Sequence, residues 1–173
     1  MIVVEVSDMA LSQDPREIIR TYALGSCIGV TLYDPIQRIG GILHFQLPIP
    51  PPHLAAQNIC MYANTAIPHF IHRAYEMGAR KENLKICLVG GALFSAKDDM
   101  FKIVLKNYLT AKKLLTKNNI PVLAEEVGGT CPRTLSLNME NGEVSIQTQQ
   151  ISHVLPPGEF SCQFPSLPSE DLA

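Results

Sequence analysis

The sequence contains no stretch of 18 uninterrupted apolar residues, and its opening MIVVEV carries no basic leader. Neither a membrane span nor an export signal is read from it. No block of five or more like charges occurs, and 14 basic against 16 acidic residues leave a net charge of -2. That balance excludes electrostatic capture by nucleic acid or by an anionic membrane surface. The five cysteines, at positions 27, 60, 87, 131 and 162, are odd in number and show no C-x-x-C spacing, which argues against a disulfide framework and against a zinc site. Neither GGALFSAK nor GGTCPR has the spacing of a phosphate-binding loop, and no internal repeat is visible. The expectation is a soluble cytoplasmic protein without membrane insertion, whose recognition rests on shape and local chemistry.

What is present is enough for one core. A chain of 173 residues that is 46% hydrophobic can bury a single compact domain and does not require two. IVVEV alternates as a strand does, and CIGVTLY sets Ile28, Val30 and Leu32 on one face with Cys27, Gly29, Thr31 and Tyr33 on the other, a half-buried strand by its pattern. Asp34-Pro35 suits the start of a type I turn, and GILHFQL follows as a second strand.

After the stiff LPIPPP, Asn64 is a candidate cap for a helix reaching Met77 and closed by Gly78. LKICLVGG reads as a strand, and MFKIVLKNYLTAKKLLTKNN as an amphipathic helix with Leu105, Leu109, Leu114 and Leu115 inward. PVLAEEVGG, RTLSLNM and EVSIQTQ read as further strands, the last two joined by the Asn141-Gly142 turn. The expected architecture is α/β: a layered, mixed and largely antiparallel sheet with two main flanking helices. The expected division is a domain over 1–149 and a loosely ordered, proline-containing tail over 150–173.

Two residues in TYALGSCIGVTLYDPIQRIGGILHFQLP carry potential chemistry. If the hairpin turns on two residues, pairs sum to 71 and Cys27 faces His44 directly. With four residues Cys27 faces Gln46, and His44 is a diagonal neighbour at roughly 7–8 Å. Either way the two side chains share a face. An imidazolium there would lower the thiol pKa and make Cys27 a nucleophile, and Gly25-Ser26 would let its N–H serve an oxyanion. The alternative is that both are buried neighbours, since a cysteine beside glycine in an apolar strand commonly fills core. Cys131, after GGT, is the rival thiol. Cys60 and Cys87 read as inert core thiols. His69 and His72 lie three apart on the proposed helix without a third ligand at suitable spacing.

LGSCIGVTLYD, GGILHFQLP and KICLVGGALF in that order, with GG and an arginine near 128–133, resemble the CheD-type family of chemoreceptor glutamine deamidases from about Val3 to Thr148. The resemblance implies a fold similar to the cysteine deamidase domain of cytotoxic necrotizing factor toxins. It also implies hydrolysis of receptor glutamines to glutamate with Cys27 as nucleophile, His44 as base and Thr21 as third polar member, and no metal or organic cofactor. Implied partners are chemoreceptor cytoplasmic domains and a CheC-type phosphatase. The chain departs from the family pattern at KIVLKN, Lys102 to Asn107, keeping Asn107, and at GGTCPR, Gly128 to Arg133. Two rival functions remain: an adaptor that docks the phosphatase, and another thiol acyl-transfer enzyme such as a transglutaminase.

Overall fold

The computed structural model describes residues 1–54, 57–94 and 98–164. It has eleven strands and two long helices, in the order β1 (Ile2–Val4), β2 (Asp8–Ser12), β3 (Ile18–Leu24), β4 (Ile28–Asp34), β5 (Ile39–Phe45), α1 (Ala63–Glu76), β6 (Lys85–Gly90), α2 (Asp98–Lys117), β7 (Val122–Gly128), β8 (Arg133–Asn138), β9 (Val144–Gln147), β10 (Ser152–Val154) and β11 (Phe160–Gln163).

The class is α/β, as the pattern predicts, but the strands form two sheets. One has the order β1-β3-β8-β9-β10 and the other β11-β7-β6-β4-β5-β2. Among the described residues, parallel pairing between strands is confined to β1 with β3, β6 with β7 and β7 with β11.

Three layers result. One core lies between the six-stranded sheet and the helices: Ile28, Val30, Leu32, Leu43 and Phe45 meet Ala66, Ile67 and Phe70 of α1 and Ala111 and Leu115 of α2. A second lies between the sheets, where Ile42, Cys87 and Val89 meet Ile19, Leu24, Leu135 and Ile146. The alternation in β4 is as read, yet every residue of β4 and β5 is buried. The strand is not half-buried, because the face expected to be wet is covered by the five-stranded sheet. Truncating a fully enclosed side chain such as Phe70 would cost about 3–5 kcal/mol.

The hairpin joining β4 to β5 turns on four residues, pairing Asp34 with Ile39. Asp34 causes this: its Oδ1 accepts from the N–H groups of Ile36 at 2.9 Å and Gln37 at 3.0 Å, and Arg38 closes the turn at φ 53°. Asp34 Oδ2 accepts from Arg80 N–H at 2.9 Å, tying the turn to the segment after α1.

The first helix begins one residue before Asn64 and has no side-chain cap. Its inward face is Ala63, Ala66, Ile67, Phe70 and Ala74, while Tyr75 is exposed. In α2 the buried positions include Val104, Leu105, Asn107, Ala111 and Leu115. Within 150–173, Ser152–Val154 pairs with β9 and Phe160–Gln163 with β7; residues 165–173 lie outside the described residues. Among the described residues no helix is long and apolar enough to cross a membrane.

Candidate active site

The chain passes from one sheet to the other between β3 and β4, and the segment Gly25 to Cys27 makes that passage. Just before it, β3 carries a register shift between Thr21 and Leu24, with Ala23 at φ 55°. An extra residue there bends the strand and re-aims the side chains beside it.

The register sets Gly29 opposite His44, so by extension Cys27 faces Gln46 and His44 is the diagonal neighbour. The four-residue alternative is the one realised. Direct opposition is not, because Asp34 holds the longer turn. Both side chains point into the layer between the sheets: Cys27 packs against the core there, and His44 reaches Thr21 of the facing sheet. Thr21 Oγ1 and His44 Nδ1 are 2.7 Å apart, and both residues are fully buried.

Proton counting assigns the tautomer. A hydroxyl has one proton to donate, and Thr21 Oγ1 lies 2.8 Å from the Val4 carbonyl, which can only accept. Thr21 therefore accepts from Nδ1–H, and Nε2 is left with its lone pair free. Among the described residues Nε2, although buried, has no hydrogen-bond partner.

The electrostatics differ from the expected ion pair. Burial pulls the His44 pKa down from 6.5 to about 4. Burial also pushes the Cys27 thiol above its ordinary value, with a hydrogen bond from Ser26 pulling part of the way back. The resting pair at neutral pH is a thiol and a neutral imidazole, not a thiolate and an imidazolium, because the inter-sheet layer disfavours charge on either partner.

The backbone at the thiol is held by the carbonyls on either side of Ser26. Gly25 O accepts from Ala92 N–H at 2.7 Å and Cys27 O from Gly91 N–H at 2.8 Å. Gly90, at φ 122°, comes so close that a Cβ there would lie 2.4 Å from Cys27 O. The Gly90-Gly91 pair is thus a tight approach that fixes the cysteine. The Phe94 ring covers Gly25, where a Cβ would meet its Cε2 at 2.4 Å, and is 57% exposed.

Behind this loop sits a buried ion pair. Arg133 Nε donates to Glu126 Oε1 at 2.7 Å, and Arg133 also reaches the Gly90 carbonyl at 3.4 Å. Glu126 Oε2 meets His153 Nε2 at 2.6 Å, so the tail segment that carries His153 is tied to the pair. Arg133 was read only as part of a resemblance. Its role follows from where β8 begins, which no spacing announces.

Of the other thiols, Cys60 and Cys87 are buried and Cys131 and Cys162 exposed. Burial pushes Cys60 and Cys87 above the ordinary thiol range, which fits inert core thiols. His72 is exposed and lies 3.4 Å from Glu76. The Val4 carbonyl, which decides the tautomer, is a backbone group and left no mark in the residue pattern.

The family model described as CheD chemotactic sensory transduction matches residues 47–148. A protein of Anaeromyxobacter dehalogenans (strain 2CP-C) named "Probable chemoreceptor glutamine deamidase CheD 2" is 38% identical over 150 residues, covering 86% of this chain and 94% of that protein. One of Syntrophus aciditrophicus (strain SB), "Probable chemoreceptor glutamine deamidase CheD 1", is 36% identical over 149 residues, covering 85% of this chain and 93% of the relative. A third, from Solibacter usitatus (strain Ellin6076), is 38% identical over 148 residues, with coverages of 84% and 88%.

Proposed function

The chain belongs to the CheD family, and from that premise we propose that it hydrolyses the side-chain amides of selected chemoreceptor glutamines to glutamate, releasing ammonia. Cys27 is the nucleophile, His44 the base and Thr21 the group that orients it. The fold relationship to the necrotizing-factor deamidases and a setting in the cytoplasm, where receptor cytoplasmic domains are reached, belong to the same reading. The observation that carries it is the buried Thr21–His44 bond, which leaves Nε2 free on the face of the sheet that Cys27 shares.

A neutral pair dictates the order of proton movements. His44 Nε2 takes the Sγ proton as Cys27 attacks the glutamine amide carbon, so the tetrahedral intermediate forms beside an imidazolium stabilised through Nδ1–H and Thr21. The imidazolium returns that proton to the amide nitrogen, the C–N bond breaks and ammonia leaves a thioester on Cys27. Water, deprotonated by Nε2, attacks the thioester. The products are glutamate and the free thiol.

The test incubates the purified protein with receptor cytoplasmic fragments. Ammonia release and a gain of about one dalton at glutamine, the exchange of NH2 for OH, are expected, and Cys27→Ser should abolish both. Amine incorporation without hydrolysis would replace this reading with transglutamination. Tight binding of a CheC-type phosphatase with no ammonia from the parent protein would replace it with the adaptor.

A further inference from the structure

Asn107 stands on α2, one residue before Tyr108, whose hydroxyl donates to the buried Glu125 at 2.7 Å. Lys112, one turn on, reaches the same carboxylate at 3.0 Å, so this part of the helix is fixed to β7. Asn107 itself is fully buried. Its Nδ2 donates to Gln46 O at 2.8 Å and to Ser26 O at 3.3 Å. One amide thus joins the strand end just past His44 to the residue just before Cys27.

Ser26 C=O and Cys27 N–H belong to one planar peptide unit. Fixing the carbonyl fixes the direction of the N–H, and a donor on the oxygen polarises the N–H into a better donor. The flanking carbonyls are held as well, Gly25 O by Ala92 and Cys27 O by Gly91. Three successive carbonyls are therefore occupied on the protein side, while no described group accepts from Cys27 N–H. Asn107 is the only side chain among those three donors.

We infer that Asn107 is a positioning residue that aims and polarises the Cys27 N–H as the oxyanion donor for the tetrahedral intermediate, while holding the nucleophile and the base strand in register. The inference rests on Cys27 being the nucleophile. It assigns Asn107 to transition-state stabilisation, not to thiol activation and not to receptor binding.

Asn107→Leu keeps the approximate shape and removes the donor; Asn107→Thr restores one. With receptor fragments, Asn107→Leu should lower kcat by about 10- to 100-fold with KM within about threefold, because the lost stabilisation is felt only as charge develops on oxygen. Asn107→Thr should fall between. Alkylation of Cys27 by iodoacetamide makes no oxyanion, so its rate should stay within about twofold of the parent. The Cys27 amide nitrogen resonance should move in Asn107→Leu. Parallel loss of alkylation and kcat, or an unchanged kcat, overturns the inference. Should Asn107→Leu not fold, the same comparison is made on Asn107→Thr. Should the parent release no ammonia, the deamidase reading fails and the amide resonance decides the clamp: a shift upholds it, and an unmoved resonance removes it.

Discussion

Thr21 acts on His44 as an acceptor, because its only hydroxyl proton is committed to the Val4 carbonyl 2.8 Å away. Three chain segments far apart in sequence, β1, β3 and β5, thereby fix one imidazole tautomer across the gap between two sheets.

Thr21→Val should keep the packing and lose the acceptor, freeing the ring to adopt either tautomer. The expected loss is about 10- to 100-fold in kcat, smaller than that of His44→Ala, with Thr21→Ser close to the parent. Nitrogen resonances of His44 check the cause: Nε2 should be the unprotonated nitrogen in the parent and in Thr21→Ser, and a mixture in Thr21→Val. Equal losses in Thr21→Val and Thr21→Ser would remove the tautomer argument.

Much of this site was legible and some was not. The shared face of Cys27 and His44 followed from period-2 geometry, which survives any even change in turn length. The register itself did not, because it depended on Asp34 accepting from two turn N–H groups rather than one. The pairing of Thr21 with His44 came by resemblance alone. No local pattern shows that Gly25 to Cys27 crosses between sheets, and a single sheet with the outer face of β4 in water was the natural reading. The edge strands β10 and β11 are three and four residues long and lie among prolines, too short for alternation to register. Charge was misjudged for a related reason: a thiol and an imidazole on one face suggest an ion pair, until a second sheet takes away the water that would support it.

Reactivity should follow from that neutral pair. At pH 7 a brief treatment with iodoacetamide should modify the exposed Cys131 and Cys162 before Cys27, whose thiolate is disfavoured by burial. Raising the pH should increase the Cys27 rate beyond the point where an ordinary thiol, with a pKa of about 8.5, levels off. Peptide mapping by mass spectrometry reads both. Preferential labelling of Cys27 at pH 6.5 would show a thiolate and restore the ion pair.

Gly90→Ala tests the close approach at Cys27. A side chain at φ 122° is strained, and its Cβ would press on Cys27 O; the expected loss is about 2–4 kcal/mol in stability together with most of the activity. Gly158→Ala is the control, at φ 84° with no atom within 4 Å of the added carbon. There the cost is backbone strain alone, about 1 kcal/mol, and turnover should be unchanged. Urea midpoints and kcat on the two variants separate strain from misplacement of the thiol.

The Arg133–Glu126 pair is buried, with side-chain exposures of 5% and 13%. Arg133→Leu should destabilise by about 3–5 kcal/mol, because Glu126 loses its guanidinium and keeps only the contact with His153. Removing both charges, with Glu126→Leu added, should cost less than the single change. If the double variant loses the sum of the two single losses, the residues contribute independently and the pair is not the unit that holds the Gly90 loop.

The depressed pKa of His44 also predicts how stability varies with pH. The folded value is about 4 against about 6.5 in the unfolded chain, so between those values the unfolded state binds more protons and stability rises with pH. The contribution is complete above about pH 6.5 and is lost as pH falls toward and through 4. Its full size is about 3 kcal/mol, of which about 2 kcal/mol should disappear between pH 7 and pH 5. His44→Gln cannot take up the proton, so it should lose less stability than the parent on acidification. Urea unfolding of both proteins at pH 7 and pH 5 measures the difference in slope. Because the neutral imidazole is also the base, turnover should persist down to about pH 5 as long as the protein stays folded, and fall only as His44 takes up its proton. An acid limb centred near pH 6.5 in the turnover profile would mean that the ring is wetter, or more charged, than its position between the two sheets implies.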